Sequence, residues 1–345
     1  MIVGVNWLGD TLFMTPAVRA IRRRHPSAWL VCAVPPRCRQ LLSGNPHVDA
    51  ILEFDERAAD RGVAGLRGFV RRVRAERFDQ AFLFHRSMTR ALCVALAGVP
   101  QRVGYATWKR RWLLTTAVPS PRPDTVHKVD VFLNLLEAAG IPADGRHYDL
   151  AVREEDRAYA RQLLRAAGCG PDQPVVALHT GANWHLKRWP PGLFARVGDL
   201  LAERFGARVV LIGSSDDRPM AEGIARRMQH APGMLAGQTT LPQLAALLGE
   251  VGAVISNDSG PLHIAAAVGV KTIGLFGPTK PELTAPPPAP HLRILFGSVG
   301  CPVPCYRQWC PINLCLRQIT PEQVVETLAG WPEWRRQLRP EAVPA

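Results

Sequence analysis

The 345-residue chain carries 42 Lys and Arg against 29 Asp and Glu, a formal net charge of +13, with 47% hydrophobic and 21% charged residues. This balance excludes a disordered polymer, and the length suits two domains, each able to bury a core. No run of 18 apolar residues exists, which excludes a bilayer-spanning helix.

The charge is uneven. Residues 1–150 hold 22 basic and 13 acidic side chains, and residues 151–345 hold 20 and 16. The first half should therefore meet an anionic partner: phosphorylated substrate, membrane surface or nucleic acid. Because 37 of the 42 basic residues are Arg, the codon bias of a GC-rich genome accounts for the excess equally well. The chain opens on a strand-like Ile2-Val3-Gly4-Val5 and lacks the signature of a signal peptide there, so a cytoplasmic protein is expected.

In chain order, Ile2–Asn6 reads as a strand and Thr15–His25 as a helix with Pro16 in its first turn. Strands follow at Trp29–Val34, Ala50–Phe54, Gln80–Phe84 and Arg102–Tyr105. Between them Leu66, Phe69, Val70 and Val73 fall at helical spacing in the Arg-rich stretch Gly65–Arg77, and Val129–Ala139 is a further helix. A second series begins with helix Glu154–Ala167 and a turn-rich joint from Gly170 to Pro174. Strands at Val175–His179, Arg208–Ile212, Ala253–Ser256 and Thr272–Phe276 then alternate with helices at Gly192–Phe205, Arg218–Gln229, Leu241–Glu250 and Pro261–Val268. Such alternation predicts two doubly wound parallel sheets: an N-terminal domain over 1–150, a linker region over 151–174 and a C-terminal domain over 175–345.

Open parallel sheets bind ligands at the carboxyl ends of their strands. Neither Gly-x-Gly-x-x-Gly nor the P-loop pattern occurs there, which disfavours dehydrogenase and P-loop readings. Three other segments stand at such ends. Asn6-Trp7-Leu8-Gly9-Asp10 places a carboxylate after the first strand, although Asp10 or Thr11 would equally serve as a helix cap. His179 to Pro190 brings Thr180 and then Lys187-Arg188, a basic pair suited to phosphate, or simply a solvated loop; Lys187 is one of only five lysines. Ser256-Asn257-Asp258-Ser259-Gly260-Pro261-Leu262-His263 runs from a strand into a small-residue helix whose free N–H groups suit a diphosphate, or it is merely a tight turn.

With their continuation Gly274-Leu275-Phe276-Gly277-Pro278-Thr279, these segments resemble the ADP-heptose:lipopolysaccharide heptosyltransferase family, glycosyltransferase family 9, its heptosyltransferase II-like members in particular. The resemblance runs in order over nearly the whole chain. It implies a GT-B fold, two Rossmann-like domains facing across a cleft, and heptose transfer from ADP-heptose to the lipopolysaccharide inner core with inversion and without a catalytic metal. On the matching positions it implies Asp10 as general base and Lys187, assisted by Thr180, at the leaving diphosphate. Asp258, Ser259, Gly260, Leu262 and His263 would complete the donor site.

The acceptor would be a lipid-anchored, phosphorylated oligosaccharide. Its candidate contacts are Arg57, Arg61, Arg86 and Arg90, with His85 beside them; a solvated basic surface is the plainer reading of each. The same basic face suits the anionic surface of the inner membrane, with the protein peripheral on its cytoplasmic side. Trp108-Lys109-Arg110-Arg111-Trp112 mixes aromatic and basic residues as a membrane or acceptor loop would. Cys301, Cys305, Cys310 and Cys315 could hold a structural zinc or iron; reduced free thiols and disulfides are the alternatives. Competing functions are the same fold acting on a protein or another surface glycan, a GT-B nucleotide-sugar epimerase, and a nucleic-acid binder. The last is set aside because no nucleic-acid module is present.

Overall fold

The computed structural model describes residues 1–305, 307, 309, 310 and 312–338. The chain divides into two compact units, Met1–Ala151 and Val152–Ala345. In the first unit six strands are β1 (Ile2–Val3), β2 (Val31–Val34), β3 (Ala50–Glu53), β4 (Gln80–Leu83), β5 (Gln101–Tyr105) and β6 (Thr116–Val118). All pair in parallel, in the order β3-β2-β1-β4-β5-β6. Helices α1 (Leu8–Arg24), α2 (Pro36–Leu42), α3 (Gly62–Ala75), α4 (Met88–Leu96) and α5 (Lys128–Glu137) complete the unit.

The second unit has β7 (Val175–His179), β8 (Arg208–Ile212), β9 (Gly233–Met234), β10 (Ala253–Asn257), β11 (Lys271–Phe276) and β12 (Leu292–Phe296), in the order β12-β11-β10-β7-β8-β9, again all parallel. Its helices include α6 (Glu154–Ala166), α7 (Pro191–Phe205), α8 (Arg218–Ala225), α9 (Leu241–Gly249) and α10 (Gly260–Val268). Helix α6 packs on α9, so most of the stretch expected to be a linker is part of this unit.

Each sheet has the Rossmann order, and each reverses direction once. The reversals fall between β1 and β4 and between β7 and β10. The segments that follow those four strands, loop or first helical turn, carry Asp10, His85-Arg86, Thr180–Lys187 and Asp258–His263. The chemistry-bearing segments therefore sit at the switch point of their own sheet.

The cores follow from the strands' apolar composition. Val3, Ala33, Phe54, Phe69, Val73, Leu83 and Val94 belong to the core of the first unit. Val176, Leu178, Trp189, Phe194, Leu211, Ile255 and Leu275 belong to that of the second. Helix α7 starts on Pro191 and ends on Gly206 in the left-handed conformation, which a side chain would strain.

One helix starts two turns earlier than its sequence suggests. Pro16 lies inside α1, where its missing N–H leaves the Leu12 carbonyl without its usual donor. The Thr15 hydroxyl supplies the replacement, donating to Leu12 O at 2.8 Å. The helix thus continues through the proline, and Asp10 falls in its first turn instead of a preceding loop.

Candidate active site

In the first unit Trp7, not Asp10 or Thr11, is the N-cap of α1, and no side chain caps it. The Thr11 hydroxyl turns back to Trp7 O at 2.9 Å. Asp10 is half-buried in the first turn of the helix.

The four arginines expected to meet acceptor divide into two kinds. Arg57 and Arg61 are exposed on the loop between β3 and α3, and Arg86 is exposed after β4 with its guanidinium 5.4 Å from the Tyr105 ring centre. Arg90 is buried. It donates to Gly4 O at 2.7 Å and to Asn6 Oδ1 at 2.6 Å, and it pairs with Glu56 at 2.6 Å. Its charge is spent on these partners inside the protein. The Asn6 amide nitrogen in turn lies 3.1 Å from His85 Nε2. Burial and the nearby Arg90 push His85 down to about 4, so the ring is neutral at pH 7.

Arg110 departs from the exposed loop it belongs to. It is buried, donating from Nη1 to His85 O at 2.6 Å, while its Nε and Nη2 have no hydrogen-bond partner among the described residues. Burial lowers it to about 10, still charged at neutral pH.

The residues expected to meet the donor converge more tightly in the second unit. Lys187 lies in a 3-10 turn, His185–Lys187, and its ammonium is 2.7 Å from Asp258 Oδ2. The Thr279 hydroxyl donates to the same oxygen at 2.6 Å. Asn257 fastens the turn to β10: its amide donates to Thr180 O at 2.8 Å, and its oxygen accepts from the Trp189 N–H at 3.0 Å. Trp189 is fully buried, its indole donating to Leu316 O and Ile319 O, both at 3.1 Å. Asp258, buried, thus holds both the Lys187 ammonium and the Thr279 hydroxyl.

Ser259 is the N-cap of α10, but its side chain does not cap the helix. Its hydroxyl lies 3.0 Å from His179 Nδ1 instead. The α10 start thus keeps its N–H groups free of side-chain capping, the arrangement that suits a phosphate. Gly260 is the first residue of the helix, and Leu262 and His263 in its first turn are buried. His179 is buried between Ser256, Ser259 and Asp217, and desolvation lowers it to about 4. Thr180 is also fully buried, and its hydroxyl finds no partner among the described residues.

His179, Asn257 and Thr279 stood in the quoted segments without a role of their own, and Asp217 lay outside them. His179 and Asn257 end strands, and Thr279 closes the Gly277-Pro278-Thr279 turn. A polar residue ending an otherwise apolar strand was the available signal; Asp217 had none.

Of the readings open for the four clustered cysteines, the described residues show free thiols. Cys301 is exposed, the other three are half-buried, and all four are free thiols. Among the described residues no group of three or more His, Cys, Asp or Glu could hold a metal ion. Cys315 instead packs beside Asn313, and burial pushes its thiol up, which keeps it protonated. As placed, these residues do not fit a zinc or iron centre. Tyr306, Gln308 and Pro311 of the loop lie outside the described residues.

Two parallel six-stranded units, each with its polar segments at the switch point, fit the GT-B architecture that glycosyltransferases use. The profile of Glycosyltransferase family 9 (heptosyltransferase) matches residues 66–313, and the chain belongs to that family. The lipopolysaccharide heptosyltransferase 2 of Escherichia coli K12 is 27% identical over 95% of this chain and 97% of its own length. Among solved structures, a family 9 glycosyl transferase from Veillonella parvula superposes with a TM-score of 0.84 at 25% identity, covering 94% of both chains. The E. coli ADP-heptose lps heptosyltransferase II superposes with a TM-score of 0.79 at 26% identity, covering 95% of this chain and 97% of its own.

Proposed function

We propose that this glycosyltransferase moves heptose from ADP-heptose to a hydroxyl of the lipopolysaccharide inner core, inverting the anomeric centre. The observation that carries the reading is the Lys187–Asp258–Thr279 cluster beside the uncapped start of α10. The E. coli relatives named for heptosyltransferase II, one of them for ADP-heptose, supply the sugar and the nucleotide.

In the first unit the Asp10 carboxylate takes the proton from the acceptor hydroxyl. A sugar hydroxyl is a weak nucleophile, and a base at its proton lowers the barrier to attack. The acceptor oxygen bonds to the anomeric carbon as the bond from that carbon to the diphosphate breaks, with its electron pair leaving on ADP. A single displacement of this kind inverts the centre. Lys187 and the α10 N–H groups meet the negative charge that develops on the diphosphate. Asp258 and Thr279 fix Lys187 beforehand, so little reorganisation is needed during the reaction. Thr180 offers its unpartnered hydroxyl to the same phosphates. The displacement needs no cofactor, since each proton and charge has a protein partner.

The acceptor side rests on Arg57, Arg61 and Arg86, with Arg90 as their support. Their charge suits the phosphates and carboxylates of a lipid-anchored core oligosaccharide. Such an acceptor places the enzyme at the cytoplasmic face of the inner membrane, against anionic lipid. Among the described residues no helix is long and apolar enough to cross a membrane.

A donor screen tests the reading: purified protein, a truncated lipopolysaccharide acceptor, and ADP-heptose beside ADP-glucose and UDP-sugars. Transfer from ADP-heptose well above all others is expected. Preferential turnover of another nucleotide sugar would replace heptose with that sugar.

A further inference from the structure

One surface of the first unit is unexplained by the donor and acceptor sites. Helix α4 buries Arg90, Ala91, Cys93 and Val94, yet it presents Met88, Leu92 and Leu96 to solvent at four-residue intervals, which puts them on one helix face. Next to α4 packs the 3-10 turn Arg111–Leu113, and the adjoining Trp108 and Trp112 are each 79% exposed. A cation stands over each indole: Lys109 Nζ lies 4.8 Å from the Trp108 ring centre, and the Arg111 guanidinium lies 4.7 Å from that of Trp112.

On the other side α4 packs on α3, whose exposed residues Val63, Arg67, Arg71 and Arg74 also share a face. Arg74 donates to Leu96 O at 2.5 Å, tying the ends of the two helices together. Among the described residues none of Arg67, Arg71, Lys109 and Arg111 pairs with a carboxylate.

We propose that α3, α4 and the Trp108–Trp112 turn form a docking surface for an anionic lipid bilayer. Three properties select a bilayer as occupant. The apolar stripe is narrow and shallow, able to enter the headgroup and upper acyl region. Indole rings favour that interface, where one edge is apolar and the other wet. The cations beside them have no protein counter-charge, and each gains from a negatively charged lipid surface. The unit as a whole carries most of the chain's basic excess. The Trp turn follows β5 and α4 follows the His85-Arg86 loop, so the surface starts at the carboxyl edge of the sheet, where Asp10 also lies. A docked enzyme would thereby have its acceptor side near the lipid. The inference deepens the proposed work on a lipid-anchored acceptor and rests on that reading for its purpose.

The test is co-sedimentation of the full chain with phosphatidylglycerol–phosphatidylethanolamine vesicles and with phosphatidylcholine vesicles, without donor or acceptor sugar. Three paired variants are compared: Trp108→Ser with Trp112→Ser, Leu92→Gln with Leu96→Gln, and Arg67→Gln with Arg71→Gln. All six side chains are exposed, and unchanged thermal unfolding and ADP-heptose affinity verify the fold.

Wild type should bind the anionic vesicles, lose binding as salt is raised, and bind phosphatidylcholine weakly. The Trp and Leu pairs should each cut anionic-vesicle binding about tenfold, and the Arg pair should also flatten its salt dependence. Failure of wild type to bind anionic vesicles, or Trp and Leu variants that bind as well as wild type, would overturn the proposal. So would self-association of wild type that these variants abolish, since the surface would then serve a second copy. The donor screen is read without vesicles, so failure of heptose transfer and failure of docking are seen separately.

Discussion

The Lys187 ammonium lies 2.7 Å from Asp258 Oδ2, an oxygen that also accepts from Thr279 at 2.6 Å. A lysine held in place before its substrate arrives is worth more than a free one, because its geometry is already set. Lys187→Ala should reduce kcat/KM by about 10²–10³. Asp258→Ala should reduce it by about 10–10², because Lys187 remains but is unheld. In the double variant the second loss should nearly vanish, as expected when one residue acts through the other. Steady-state kinetics on the four proteins measure the coupling, and full additivity would separate the two residues' roles.

Thr180 offers a contrast between stability and function. Its buried hydroxyl makes no hydrogen bond among the described residues, so removing it costs the fold nothing. Thr180→Val should unfold at the same temperature as wild type or higher, yet bind ADP-heptose about 3–10-fold more weakly. Calorimetry of unfolding and of binding on one preparation gives both answers.

Arg86 and Arg90 lie four positions apart, and their variants should behave differently. Arg90→Ala leaves Glu56 without its partner and removes the donors to Gly4 and Asn6. Loss of a buried pair of this kind costs about 3 kcal/mol of stability. Arg86→Ala should leave stability within about 0.5 kcal/mol, because the side chain is exposed, and should raise the acceptor KM. Denaturant titration with acceptor kinetics separates the two.

His179 sets a pH dependence. Its pKa is lowered to about 4 in the folded chain from an ordinary value near 6.5. Between those values the unfolded chain binds more protons than the folded one, so stability falls as pH drops from about 6.5 and levels off below about 4. The full contribution is up to about 3 kcal/mol. His179→Gln should flatten part of the acid limb of the stability curve, and His85, lowered in the same way, should retain the rest.

Much of the architecture was legible because parallel strands buried on both faces read as short apolar runs. Val175–His179 and Arg208–Ile212 fall where the sequence put them. Other elements were hidden for identifiable reasons. Helix α4 keeps Met88, Leu92 and Leu96 exposed, so it lacks the polar outer face that marks an amphipathic helix. Strand β9 has two residues, too few for a pattern. Pro16 looked like a helix start, and only the Thr15–Leu12 hydrogen bond shows why it need not be one.

In the site, Lys187 stood out through the rarity of lysine and Asp258 through its motif, but their contact joins residues on different loops and required the fold. Arg90 was indistinguishable from its exposed neighbours, because burial of one arginine among many leaves no mark on composition.

A base role for Asp10 and donor binding by the second unit alone are functions that one variant separates. The most direct measurement is turnover of ADP-heptose on truncated lipopolysaccharide by Asp10→Asn, with ADP-heptose affinity determined on the same protein. A general base at Asp10 predicts turnover lowered by about 10²–10⁴ with affinity unchanged. Turnover within a few-fold of wild type would contradict it.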